Sequence, residues 1–157
     1  MAEILLDTEG VRLPEGLTKA RLQLAAERCA ALAERRAQPE APWREITLHV
    51  THDAENQEVN RRILGHDYAT DVITQAYEPF PFEPPGLVAE LYVIVVEARR
   101  NAERLGRTTW AEELLLYIAH GCDHLTGADD ATPAQRQAMR RRDLRWMRLA
   151  AQVAKLP

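Results

Sequence analysis

The stretch from Thr109 to Gly127 constrains this chain most, because it has a defined start, a defined stop and two chemically distinct faces. Thr109-Trp110-Ala111-Glu112 reads as a capping box, with Thr109 as N-cap and Glu112 at the third helical position. Gly127 supplies the left-handed conformation in which helices commonly end. At about 100° per residue, Ala111, Leu114, Leu115, Ile118, Cys122 and Leu125 fall on one apolar stripe that must face a core. His120 and His124 stand one turn apart on roughly the opposite side. Glu113, Leu116 and Tyr117 lie near them, so the histidine face is expected to be the partly covered wall of a cleft.

Two imidazoles at this spacing, a glycine turn and then an acid, Asp130, make a ligand set for one divalent ion. Zinc is the expected ion, one per chain, held by His120, His124 and Asp130. Three protein ligands leave a coordination position open to water, which separates a catalytic zinc from a structural one. A histidine pair on an exposed helix face also arises without any metal; the glycine stop and the acid raise this pair above that background. The pattern is not the protease His-Glu-x-x-His, because Gly121 stands where that pattern carries its general base. The nearest acid is Asp123, on the other flank of the pair, and it is the candidate catalytic residue. Three roles are open to it: orienting water, holding a histidine tautomer through the second ring nitrogen, or facing solvent.

The rest of the chain alternates strand and helix signals. Glu3–Leu6 is a short apolar strand, and Leu17 to about Ala37 an amphipathic helix with Leu22, Ala25, Ala26, Cys29 and Leu32 or Ala33 on one face. Ile46, Leu48 and Val50 alternate with Thr47, His49 and Thr51, the period of a half-buried strand. Asp53 caps a helix to about Leu64, stopped by Gly65. Val72–Tyr77 is a strand, and the four prolines between Glu78 and Gly86 enforce an irregular loop. Val88–Val96 is nearly all apolar and reads as a central strand buried on both faces. Glu97–Leu105 is a helix ended by Gly106, and Pro133 opens the last helix at a favoured first-turn position. The expected fold class is α+β: a mixed four-stranded β-sheet packed with about five helices, in one domain spanning residues 1–157.

Composition excludes several function classes. With 46% hydrophobic and 28% charged residues the chain has the balance of a soluble globular domain. No apolar run approaches the ~20 residues needed to span a bilayer, and Met1-Ala2-Glu3-Ile4 lacks the basic start of a signal peptide. Cys29 and Cys122 both fall on apolar stripes and read as buried free thiols of a reducing, cytoplasmic compartment, with a disulfide the weaker reading. The net charge of −4 does not mark a nucleic-acid binder in bulk, so RNA binding would need a local basic patch. Arg61 and Arg62 are one candidate patch; the C-terminal helix, with Arg136, Arg140, Arg141, Arg142, Arg145 and Arg148, is the second, and of these Arg141, Arg145 and Arg148, opposite the stripe of Met139, Trp146, Ala150 and Val153, are either its cluster or a solvated helix face. His49 and His52 flank a strand end and are expected to face solvent.

The histidine segment resembles the signature of the YbeY family, endoribonucleases of ribosomal RNA maturation, whose pattern is His-Gly-x-x-His-Leu-x-Gly-x-x-His. His120, Gly121, His124, Leu125 and Gly127 match, and Asp130, a competent zinc ligand, stands at the third histidine. A second run of the family is matched upstream by Gly65, Asp67, Thr70, Asp71 and Val72, with Leu64 at the family's arginine and Ala69 at its proline. A family Gly-Asp pair appears as Ala89-Glu90. The resemblance runs from about Glu45 to Leu149. It implies a mixed four-stranded sheet, a metal-dependent endoribonuclease acting in rRNA maturation and ribosome quality control, and RNA, with the ribosome as a further candidate, as partner. It places Thr70 and Asp71 on the substrate cleft; Arg61 and Arg62, just before that stretch, are substrate contacts by charge, and His66 is either a further cleft contact or a plain loop residue. The implied ion acts as a Lewis acid on a phosphoryl oxygen. The rival reading is an RNA- or ribosome-associated binding protein with a structural metal; a peptide hydrolase is disfavoured by Gly121.

Overall fold

Four strands and four helices follow one another in the computed structural model, which describes residues 1–51 and 72–157. The strands are β1 (Glu3–Asp7), β2 (Glu45–Thr51), β3 (Val72–Tyr77) and β4 (Val88–Ile94); the helices are α1 (Lys19–Ala37), α2 (Val95–Leu105), α3 (Trp110–His124) and α4 (Pro133–Val153). The fifth expected helix, from Asp53 to about Leu64, lies outside the described residues.

The strands form one sheet in the order β1-β2-β4-β3. β1–β2 and β2–β4 are parallel, with Ile46 opposite Ala89 and Leu48 opposite Leu91, whereas β3 returns antiparallel along β4, with Ile73 opposite Tyr92. The sheet is mixed, as expected, because the proline-rich loop 78–86 returns the chain without a crossover helix. The alternation read in β2 holds: Ile46, Leu48 and Val50 are buried on the helix side. His49 points to the other side but is only half exposed; it stacks on Tyr92 with ring centroids 4.5 Å apart and bonds Asp7 at 3.1 Å, holding that carboxyl below its usual range. Solvent exposure of His49 is therefore corrected to a position on the sheet's second face.

β4 runs straight into α2 at Val95, two residues before the expected start at Glu97, because the apolar run serves both strand and first helical turn. Gly106 ends α2 at φ 63°, which a glycine adopts without strain. α1 lies against β1, α3 over β3 and β4, and α4 backs both α1 and α3. The stripes of these helices and the inner sheet face make one continuous core, with Leu22, Leu48, Leu91, Leu114 and Ile118 at its centre. Val153, expected on the buried stripe of α4, is 39% exposed, because the covered stripe runs from Ala150 to Ala154 and Val153 falls beside it. Cys29 and Cys122 are buried free thiols, and burial pushes the Cys29 thiol up to about 12. No helix among the described residues is long and apolar enough to cross a membrane.

Candidate metal centre

α3 is set rigidly at both ends. The capping box expected at its start is present, with the Thr109 hydroxyl accepting from the Glu112 amide and the Glu112 carboxylate accepting from the Thr109 amide. At its other end the chain turns through Gly127 at φ 90°, and this turn carries Asp130 back over the last helical turn. One ligand atom each from His120, His124 and Asp130 lies within 4.8 Å of the others.

The hydrogen bonds behind the imidazoles decide which nitrogens face the common point. His124 Nδ1 lies 3.1 Å from the carbonyl oxygen of Ala128, which can only accept, so Nδ1 carries the proton. His120 Nδ1 lies 2.8 Å from Oδ2 of Asp143 and donates to that carboxyl when it is ionised. Both Nε2 atoms then carry lone pairs, and they face each other at 3.1 Å. Asp130 Oδ2 stands 3.6 Å from one and 3.8 Å from the other. Three electron-pair donors this close repel unless a cation lies between them. Tetrahedral bonds of ~2.0–2.1 Å would hold neighbouring donors ~3.3–3.4 Å apart, so the three separations fit one small divalent ion.

Asp143 is the site residue that sequence reasoning missed. It comes from α4, where only 3% of it is exposed. Burial, against the opposing pull of His120, raises its carboxyl from 3.8 to about 7, and the neighbouring Asp123 carboxylate adds to the rise. A signal existed: Asp143 falls on the Met139, Trp146, Ala150 stripe, and a carboxylate on a buried stripe needs a partner.

Of the roles left open for Asp123, facing solvent is corrected: the residue is fully buried and forms an interior ion pair. Arg142 Nε lies 2.9 and 3.0 Å from its two oxygens, and Arg36 Nε lies 3.9 Å away. The helical arithmetic placed it correctly on the flank away from the histidines; what it could not supply is that α4 and α1 cover that flank. Gly121 sits where α3 meets the sheet: a Cβ there would lie 2.6 Å from Leu91 Cδ2 and 3.1 Å from Val72 Cγ2. No general base fits at that position.

A cleft of about 560 Å³ opens beside the triad, with His120, Asp130 and Asp143 in its wall. Arg107, Arg136 and Arg140 line it as well. Arg141, Arg145 and Arg148, the expected basic cluster of this helix, are outside that lining. The other expected substrate contacts, Arg61, Arg62, His66, Thr70 and Asp71, lie outside the described residues.

A family model described as Endoribonuclease YbeY matches residues 13–150 of this chain. A relative from Rhodopirellula baltica named Endoribonuclease YbeY is 41% identical over 105 residues, 66% of this chain and 53% of that protein. One of the same name from Chlorobium phaeovibrioides is 42% identical over 93 residues, 58% of each chain. The matches thus span little more than half the length of these two relatives. A third, from Bacteroides fragilis, is 33% identical over 136 residues, covering 87% of this chain and 89% of that one. In fold, the chain is similar to a Thermotoga maritima protein of known solution structure, with TM-score 0.59 at 20% identity over 97% of this chain and 90% of that one.

Proposed function

We infer that this chain, which belongs to the YbeY endoribonuclease family, is a metal-dependent endoribonuclease that hydrolyses RNA phosphodiesters in ribosomal RNA maturation and ribosome quality control in the cytoplasm. The observation that carries the reading is the triad: two lone-pair nitrogens and a carboxylate oxygen turned to one point, with both imidazoles locked from behind. The nitrogen-rich set favours zinc, one ion per chain. When bound, such an ion supplies Lewis acidity toward a phosphoryl oxygen and activates water near neutral pH.

The chain's own residues then have distinct tasks. Asp143 and the Ala128 carbonyl keep His120 and His124 in the tautomer that binds through Nε2. Asp130, 41% exposed in its side chain, leaves the site open on the cleft side, as catalysis requires and a closed structural metal site does not. Arg61, Arg62, His66, Thr70 and Asp71 are proposed to contact RNA. The support is that their segment leads into Val72, which packs beneath Gly121, between the two histidines.

The deciding experiment is metal analysis of the purified protein, followed by cleavage of a ribosomal RNA fragment with and without chelator. One equivalent of zinc and chelator-sensitive cleavage restored by zinc are expected. Full RNA binding with no cleavage at full metal loading would replace this reading with that of a binding protein holding a structural metal.

A further inference from the structure

The cleft beside the triad has cationic walls, although the chain as a whole carries a net charge of −4. Three guanidinium groups contribute to them, each differently tied. Arg107 is anchored: its Nη2 lies 3.0 Å from Oε1 of the fully buried Glu113. Arg136 is tethered to the ligand loop, with Nη1 donating to the Asp130 carbonyl at 3.3 Å and the Ala131 carbonyl at 3.1 Å. Arg140, one turn further along α4, is exposed and makes no ion pair or hydrogen bond among the described residues. Leu116 and Met139 add apolar surface to the same lining.

Anchored, tethered and unengaged arginines around one cleft define a gradient of availability. The first two shape the wall, and the third has its whole donor fork left for a ligand. Guanidinium forks match phosphate oxygens in geometry and charge. A phosphodiester lying at the triad has a neighbouring phosphate one nucleotide along, and the apolar part of the lining suits the ribose and base that separate the two. We propose that Arg140 binds the RNA phosphate adjoining the scissile one, making this cleft a flanking-nucleotide subsite. The inference rests on the endoribonuclease reading above.

The test measures binding of an oligoribonucleotide to the zinc-loaded protein over a series of salt concentrations. Wild type is compared with Arg140→Ala, Arg140→Lys and, as a charge-matched control, Arg12→Ala, an exposed arginine outside the cleft. Loss of one phosphate contact to single-stranded RNA should lower the slope of log K against log salt by ~0.7. Arg140→Ala should show that drop, Arg140→Lys should restore the slope, and Arg12→Ala should keep it. A wild type that binds and cleaves RNA while Arg140→Ala tracks Arg12→Ala overturns the subsite and leaves the endoribonuclease reading standing. A fully metal-loaded wild type that neither binds nor cleaves RNA overturns both.

Discussion

Each histidine of the triad is fixed by an acceptor from a different part of the chain, a carboxylate of α4 for His120 and a loop carbonyl for His124. Each ring is thus oriented before any ion arrives, and single side chains carry separable tasks. Asp130 is the clearest. A histidine ligand must lose a proton near pH ~6.5 to bind, whereas an aspartate stays ionised down to about pH 4. Asp130→His should therefore release metal at higher pH than wild type, and more steeply, because one more proton competes. Identical curves of metal content against pH would remove Asp130 from the ligand set. Asp143 makes a second case. Its carboxyl is raised by burial from 3.8 to about 7, so the metal-free fold holds its proton more tightly than the unfolded chain does. That contribution to stability is complete below 3.8 and is lost as pH rises through about 7. With chelator present, the stability of wild type relative to Asp143→Asn should fall across that window and be flat above it; a pH-independent gap in denaturation midpoints would contradict the burial argument. With zinc present, the same variant should bind the ion ~10–100-fold more weakly, the usual cost of losing a partner behind a ligand.

At the level of elements, α3 is both the ligand helix and the helix closest to the sheet, and Gly121 is where the two roles meet. Alanine is the better helix former by about 1 kcal/mol, so an exposed glycine there would be improved by substitution. Here the added methyl would stand 2.6 Å from a terminal carbon of Leu91, which is itself only 1% exposed. Leu91 has nowhere to retreat, and overpacking of this kind costs about 1–3 kcal/mol. Gly121→Ala should therefore lower the urea midpoint and weaken metal binding by lifting the histidines off their partners; a more stable protein would refute the close approach. The cap, the stop and the stripe of α3 were legible because they are written within one turn of where they act. The register of β2 was legible for the same reason. The start of α2 was not, because Val95 and Val96 suit a strand and a helix equally, and only the position of the neighbouring strands decides where β4 ends. The role of Gly121 was legible only as an absence of a base. That its missing side chain makes room for the sheet depends on Leu91 and Val72, each about thirty to fifty residues away in the chain.

Across the whole molecule, the site is an assembly of segments that do not meet in the sequence. α3 gives the histidines, the turn after it gives Asp130, and α4 gives Asp143 and the cleft arginines. Reading one segment at a time recovered the triad, which is local, and missed Asp143, which becomes its neighbour only when α4 docks; Arg140 was legible only as one of the arginines of α4. It also left Asp123 with three possible roles, because the decisive fact is the arrival of Arg142 and Arg36 from two other helices. Asp123 is the interior joint of α1, α3 and α4, and it lies next in sequence to a ligand, so a simple loss of activity on substitution would be ambiguous. Removing one partner of a buried pair costs about 3–5 kcal/mol, because the other charge is left uncompensated, whereas replacing both with apolar residues of similar size is often neutral. Asp123→Ala should therefore destabilise the protein by about that amount, and the double variant Asp123→Leu, Arg142→Met should regain most of it. The double variant separates the two roles. A structural Asp123 gives a stable protein that still binds zinc and cleaves RNA, since neither side chain touches the cleft. A catalytic Asp123 gives a protein equally stable and equally loaded with metal but without cleavage. Thermal denaturation, zinc content and RNA cleavage measured on one preparation decide between them, and the burial of Asp123 leads us to expect the first outcome.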